Sequence, residues 1–516
     1  MWTRTLAVLS LLAVAAVRPL AEAPLPLPNT AEAITHALNR LTFGPRPGDV
    51  ARVKAVGLQS WINSQLDPAR IDDGRLTAAL ARVETLSLDS QTIQREYSGP
   101  AMVERRERQS NSPDGEPPNP DMRPPSQPEA ASTFAEATAD RSARQARGPV
   151  SERQRKDRQV IADIEEAKLL RAIQSERQLQ EVLVDFWFNH FNVFAGKGAT
   201  RNYLSEYERE AIRPHVLGNF RDMLEATAKS PAMLFYLDNW QNTEASSPGP
   251  QMTPMPQIRR RQQPSTGQPQ RSRGINENYA RELMELHTMG VDGGYTQADV
   301  LNVARALTGW TIRPRDGSGT LFVPRLHDNQ AKTVLGHTIE ARGGENDIEQ
   351  VLDILAAHPS TARHIATRLA IRFVSDTPPA ALVDRAAATF TATKGDLREV
   401  VRIIITSPEF FAPEANRVKV KTPLEFVASA LRATGAEVRS AVPLARELRD
   451  MGMPLYFCQP PTGYDDTATA WVSAGALVSR MNFAVALARN EIRGVRIANP
   501  PADLDKEIGS PGFQRQ

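Results

Sequence analysis

The stretch Asp185–Phe194, "DFWFNHFNVF", is half aromatic, yet it interleaves an aspartate, two asparagines and a histidine. Extended back to Glu181 and wound at about 100° per residue, it places Glu181, Asp185, Asn189 and Asn192 on one narrow stripe. Val182, Leu183, Phe186, Trp187, Phe191, Val193 and Phe194 cover most of the remaining circumference. A helix apolar over that much of its surface is buried, and its burial requires other helices around it. The stripe can reach a polar neighbour or solvent. His190, midway between Leu183 and Phe194 on the apolar side, is surrounded.

A second segment repeats the arrangement. In "NENYARELMELHTMG", Asn276–Gly290, helical spacing puts Asn278, Arg281, Glu282 and Glu285 on one arc. Tyr279, Ala280, Leu283, Met284 and Leu286 take the other, and His287 again sits along the apolar arc. Glu277 and Arg281 form a favourable i,i+4 pair worth about 0.2–0.5 kcal/mol, and Gly290 can end the helix as its C′ residue.

Working outward, the rest of the chain also reads helical. Thr30 caps a helix carrying His36, Leu38 and Arg40; apolar residues recur from Val53 to Leu66 and stop at Asp67-Pro68. Thr296 with Asp299 is a capping-box start. Val351–Leu355, Ile365–Phe373 and Leu397–Thr406 continue the period, and Ser407-Pro408 and Thr422-Pro423 read as openings of new helices. Gly196–Arg201, "GKGATR", reads as a glycine stop after the aromatic helix. Thr311–Ile339, which mixes Thr, Val and Phe with "RDGSG", is the place for one short hairpin. The expectation is an all-α, multi-helical single large domain. Two Pro-rich stretches interrupt it, 99–159 and 242–273, too poor in aliphatics to offset the entropy of ordering and expected as disordered insertions. The helical domain then spans 24–98, 160–241 and 274–495, and 496–516 reads as a flexible C-terminal tail.

At 516 residues and 41% hydrophobic the chain can bury a sizeable core, and 62 basic against 60 acidic residues leave no footprint for nucleic acid or anionic membrane. One arginine precedes an apolar run from Leu6 to Val17, and Ala21-Glu22-Ala23 offers a cleavage site, so 1–23 reads as a signal peptide and the protein as exported, periplasmic or extracellular. No later run is long enough to span a bilayer. Cys458 is the sole cysteine, which rules out an internal disulfide.

If the two buried helices face each other, they enclose a polar pocket. His190 and His287 would supply imidazoles, and Asp185, Glu282 and Glu285 carboxylates. His190, His287 and Asp185 would be the ligands of a divalent metal; His190, His287, Glu282 and Glu285 are the catalytic candidates for general acid–base work. Asp185, Asn189, Asn192, Asn278 and Arg281 would hold a small ligand. The competing reading has each histidine bonded to a carbonyl and the carboxylates in a solvated ladder. No H-E-x-x-H, P-loop or G-x-S-x-G supports a specific chemistry. Val291–Asp299 matches the second half of a calcium loop at Asp292, Gly293, Thr296 and Asp299, but Thr288 and Gly290 bring no carboxylate to the first half, a weak fit. Tyr456–Trp471, "YFCQPPTGYDDTATAW", is a loop rich in aromatic and polar groups and suited to line a pocket. In it Asp465, Asp466 or Thr467 can cap the next helix, and Cys458 reads as an inert buried thiol or a nucleophile.

"RLTFGPRP", "FWFNHFNVF", "NENYARELMELHTMGVDGGYTQADV" with "ALTGWT", "VKTPLEFV", and "PLYFCQPPTGY" followed by "SRMNF" resemble the bacterial DUF1800 family. The likeness runs in order from about Thr30 to about Asn490, interrupted by the two insertions. It implies an exported protein of unassigned activity, whose genes often neighbour a second exported family, DUF1501. A partner protein in the envelope is therefore expected, either as the ligand-binding protein's companion or with this chain as a non-catalytic scaffold. No catalytic residues come with the resemblance.

Overall fold

The aromatic stretch becomes a helix because leucine, valine and aromatic residues succeed one another from Gln178 without a glycine or proline. It ends at His190, where Phe191 leaves helical geometry at φ −100°, ψ 50°. Asn192, Val193 and Phe194 therefore lie beyond the helix, and the expected four-residue polar stripe holds only for Glu181, Asp185 and Asn189. The glycine stop expected at Gly196 comes after the chain has already turned.

The computed structural model describes residues 27–99, 151–244, 274–313 and 319–516. Eight helices carry the argument: α1 (Ala31–Leu41), α2 (Glu152–Gln174), α3 (Gln178–His190), α4 (Glu277–Met284), α5 (Pro359–Phe373), α6 (Pro423–Ala433), α7 (Val442–Asp450) and α8 (Ala474–Ala488). α1 starts at the Thr30 cap, whose hydroxyl accepts from Ala33 N. α6 starts at a full capping box, Thr422 with Glu425, and has Pro423 in its first turn. All residues of α6 from Pro423 to Arg432 are buried, so it is the axis around which the others assemble. One hydrophobic core runs from Ile34 to Ile508, in keeping with a single large domain, and a small satellite joins Ile93, Tyr97 and Val160.

The fold class is all-α as expected, with departures of local origin. The 53–66 region is two helices, Asp49–Val56 and Leu58–Gln65, because Gly57 turns the chain at φ +87°. Ser407-Pro408 opens only a turn. Two hairpins form instead of one: β1 (Trp310–Ile312) with β2 (Thr320–Phe322), and β3 (Lys332–Val334) with β4 (His337–Ile339). A third antiparallel pair joins β5 (Glu437–Val438) to β6 (Val495–Arg496). The expected insertions are shorter than their composition suggested. α2 begins at Glu152, and Asn242 and Thr243 are buried, with the Asn242 amide donating to Ala304 O. The remainder of both insertions, and the apolar leader, lie outside the described residues.

The 496–516 segment is packed, not free. Leu504–Gly509 is helical, and the following residues run antiparallel to Lys419–Lys421, with Gln516 N donating to Lys419 O and Lys421 N to Gln514 O. Its composition is polar, but backbone pairing and the buried Ile508 tie it down.

Among the described residues no helix is long and apolar enough to cross a membrane.

Candidate functional site

Asp185, Asn189, His190 and Asn192 of the aromatic stretch each have a partner from elsewhere in the chain, whereas the Trp187 indole N–H is buried without one. Asp185 pairs with Lys168 of α2 at 2.7 Å. The Asn189 amide donates to Tyr464 O and its carbonyl oxygen accepts from Tyr464 N, both at 2.7 Å. Asn192 donates to Cys458 O and Pro460 O. His190 Nε2 lies 3.1 Å from His287 O, which can only accept, so this nitrogen donates. Asn189 and Asn192 thus clamp the 456–466 loop onto α3. Gly463 (φ +74°) crosses so close that a Cβ there would sit 2.2 Å from Asn189 O.

The two histidines meet on the dry side of α3. Their ring centroids are 6.4 Å apart, and His364 of α5 stands 6.0 Å from His190. The turn after α4, Glu285–Met289, is a five-residue π turn that closes at Gly290 (φ +82°), against the His364 ring. Burial lowers all three histidines: His190 well below the usual range, His287 to about 3 and His364 to about 4, with further repulsion among themselves and, for His190 and His364, from Arg368. His190 and His287 are buried and His364 half-buried, and in all three the charged form is disfavoured.

Asp185 is roughly 140° around α3 from His190, so the expected metal trio is not brought together. Among the described residues no group of three His, Cys, Asp or Glu is placed to hold a metal ion. The second helix does not join the pocket either. Glu285 accepts from Tyr295 Oη at 3.0 Å, Arg281 reaches Gln297 and Glu277, and Asn278 donates to Leu237 O. Glu282 is half-buried and raised, first by burial and then by Glu285. The half calcium loop is a turn and a capped helix, with Asp299 accepting from Thr296 and from Leu335 N.

What α3 does line is a cavity of about 40 Å³ on its Asp185 side, room for about three waters. Its walls are α2 (Lys168), α3 (Asp185, Phe186, Asn189), α5 (Arg372), the start of α6 (Thr422, Glu425) and the 453–466 loop with Tyr456, Asp465 and Asp466. Arg372 pairs with Glu425, which also takes Thr422 N and the Gln516 amide. Burial opposes ionisation of Glu425, but Arg372 and these donors hold it down to about 2. Asp466 is different. Burial raises it, and although Arg368 Nη2 lies 3.1 Å away, Oδ2 is shielded from solvent with no hydrogen-bond donor aligned on it. Lys419 grips the same loop through Asp466 O at 2.6 Å.

Behind Lys168, Glu208 binds Arg171 and Arg213, and Arg213 forks onto Glu181 at 2.7 and 3.0 Å. Tyr456 Oη donates to Glu208 at 2.6 Å. Glu208 is held at about 2: burial pushes it up, and the cations with the tyrosine outweigh that. Tyr456 itself sits at φ +63°, a left-handed conformation costly for a bulky side chain.

Cys458 Sγ has only Pro460 O, at 3.9 Å, and burial pushes its thiol up to about 11, so it is the inert thiol. The helix after the loop is capped by Ser473, not by residues 465–467.

Lys168, Arg368, Arg372, Glu208 and Glu425 were not singled out from the sequence. For α5 a signal existed: His364, Arg368 and Arg372 recur every four residues in "HIATRLAIRF" and share one face. Glu425 was visible only as a capping residue, and it does both jobs.

The chain belongs to the DUF1800 family, described as a protein of unknown function, whose model matches residues 36–511. No curated protein and no solved structure matches it.

Proposed function

We propose that this protein is exported and binds a small polar ligand in the cavity between α3, α5, the start of α6 and the 453–466 loop, on the opposite side of α3 from the histidines. The observation that carries the reading is Asp466: a buried carboxylate in the cavity wall whose Oδ2 is ion-paired with Arg368 Nη2 at 3.1 Å but has no hydrogen-bond donor aligned on it. A buried polar group left in that state costs about 1–3 kcal/mol, and a ligand's donor would recover it. The ligand group is therefore small and hydrogen-bond donating, an ammonium foremost. Anything larger enters only if the loop, clamped by Asn189 and Asn192, swings away. The strained Tyr456 at the loop's base gives that motion a built-in source of free energy.

The test is thermal unfolding of the signal-free protein with methylamine, putrescine and free lysine as probes, beside Asp466→Asn. Concentration-dependent stabilisation of the wild type by an amine, absent in a folded Asp466→Asn variant, supports the reading. Equal response of the two proteins, or none from the wild type, removes it. Export is checked separately by fractionating cells and weighing the mature chain, expected to start near Pro24.

The second reading, a subunit of an exported assembly without chemistry of its own, is favoured by one observation: an uncovered apolar face on α8, where Leu477, Val478 and Met481 stand exposed.

A further inference from the structure

His36 and Arg40 stand one turn apart on one face of α1, and both are buried, at 6% and 1% exposure. Arg40 Nη2 donates to Val374 O and Ala415 O, both at 2.8 Å. Its Nε and Nη1 are shielded from solvent without an acceptor, and both ring nitrogens of His36 are shielded without a hydrogen bond. The His36 ring meets Phe410 edge-on, with centroids 4.8 Å apart, and Phe411 stands 6.2 Å away. Four buried nitrogens on two neighbouring side chains thus lack protein partners, a state that buried polar groups rarely keep.

Charge sets Arg40 apart from its peers. Four arginines are buried among the described residues: Arg40, Arg372, Arg432 and Arg480. Arg372 pairs with Glu425, Arg432 has Asp49 at 3.7 Å, and Arg480 lies over the Phe426 ring at 5.2 Å. Among the described residues Arg40 has neither a paired carboxylate nor a ring beneath it. The acids nearest in influence are engaged elsewhere, Glu425 with Arg372 and Asp376 with Lys419. Burial, then repulsion from Arg372, lowers Arg40 to about 9; burial, then Arg40, lowers His36 to about 4.

A desolvated guanidinium is stable only with a counter-charge. A water molecule would satisfy the nitrogens and leave the charge. A carboxylate or phosphate would settle the charge but bring further oxygens against Phe410 and Phe411, which have no donors for them. A single-atom anion meets both demands. It accepts from Arg40 Nε and Nη1 and from whichever imidazole nitrogen carries the proton.

We propose that a chloride ion is held between His36 and Arg40 as a resident part of the fold, tying α1 to the chain just after α5 and to the Pro413–Ala415 turn. The site shares no residue with the ligand cavity, so the two stand or fall separately.

The experiment has two arms, both on the signal-free protein. Crystals grown in sodium bromide are measured at the bromine absorption edge, with an anomalous peak expected within hydrogen-bonding reach of Arg40 Nε and a His36 nitrogen. In parallel, protein refolded from urea into sodium gluconate is titrated with chloride at constant ionic strength while its thermal unfolding midpoint is followed. The midpoint is expected to rise with chloride in the wild type. His36→Leu is expected to need about tenfold more chloride or worse, whereas His36→Gln, which keeps an amide donor, responds as the wild type does. Arg40 itself is left in place, because its bonds to Val374 and Ala415 would be lost with it. Water density without anomalous signal at the site overturns the proposal. So does a chloride response that is absent from the wild type or undiminished in His36→Leu. If His36→Leu does not fold, the bromide peak decides alone.

Discussion

The two sides of α3 bury polar groups on opposite terms. On one, burial disfavours the charged form of His190, His287 and the half-buried His364; on the other, Asp185 pairs with Lys168, and Glu425 and Glu208 are held ionised by Arg372, Arg171 and Arg213. An imidazole can shed its proton and its charge, so a core tolerates it with a single carbonyl as partner. A carboxylate beside arginines cannot, and each such group is stable only while its counter-charges stay.

That contrast breaks most visibly when a charge is removed. Glu208→Ala leaves Arg171, Arg213 and Lys168 with one carboxylate fewer and frees Tyr456 from its bond. The expected loss is about 3–5 kcal/mol in urea unfolding, enough to leave the variant partly unfolded. A loss near that of an ordinary surface variant shows that the cluster reorganises.

Acid should separate the two sides by pH. The histidines have folded-state values below the unfolded 6.5, so the unfolded chain binds protons first. Their stabilisation is complete above about pH 6.5 and drains away as pH falls toward 4 and 3, each contributing a slope of up to about 1.4 kcal/mol per pH unit. Glu208 and Glu425, held at about 2, keep their contribution until pH falls below the ordinary carboxylate value of 4.5 and lose it toward 2. Unfolding midpoints measured from pH 7.5 to 3 should therefore start to fall near 6.5, and His364→Gln should flatten the upper part alone. A curve flat to pH 5 would place protonated histidines in the core.

Gly463→Ala sharpens the comparison at the loop. The new methyl meets Asn189 O and the position needs φ +74°. The expected cost is about 1–3 kcal/mol, with faster proteolysis between Tyr456 and Asp466 and the histidine core intact. If global unfolding cooperates with the cut, the loop belongs to the core.

The smallest effect belongs to Arg281→Ala. Its pair with Glu277, at 3.5 Å, is solvent-exposed, and the change is expected to stay within about 0.5 kcal/mol. A larger one would point to its contact with Gln297.

Within α3 the sequence already distinguished a buried helix and the polar members that needed partners. It misassigned Asn192, because helical phase was carried past His190, where Phe191 breaks it. It also set the two histidine helices as walls of one pocket. They do meet, but as a dry contact, because the π turn after α4 and the third histidine, His364, are set by packing and not by spacing. The cavity itself was legible in halves: the 456–466 loop as a pocket lining, Asp185 as a ligand-side carboxylate.

What the sequence by itself determined are the local terms: the helical period, the caps at Thr30, Thr296 and Thr422, the stop at Gly290, and the core-facing apolar surfaces. Each depends on residues within a turn or two of one another. Only the tertiary structure decided that Glu208 would meet Tyr456, that the capping Glu425 would take Arg372, and that Asp466 would pair with Arg368 without an aligned hydrogen bond. Those pairings join segments tens to hundreds of residues apart. Charge has no periodicity to announce its partner, and burial, which sets the energy of each pair, exists only once the chain has closed around them.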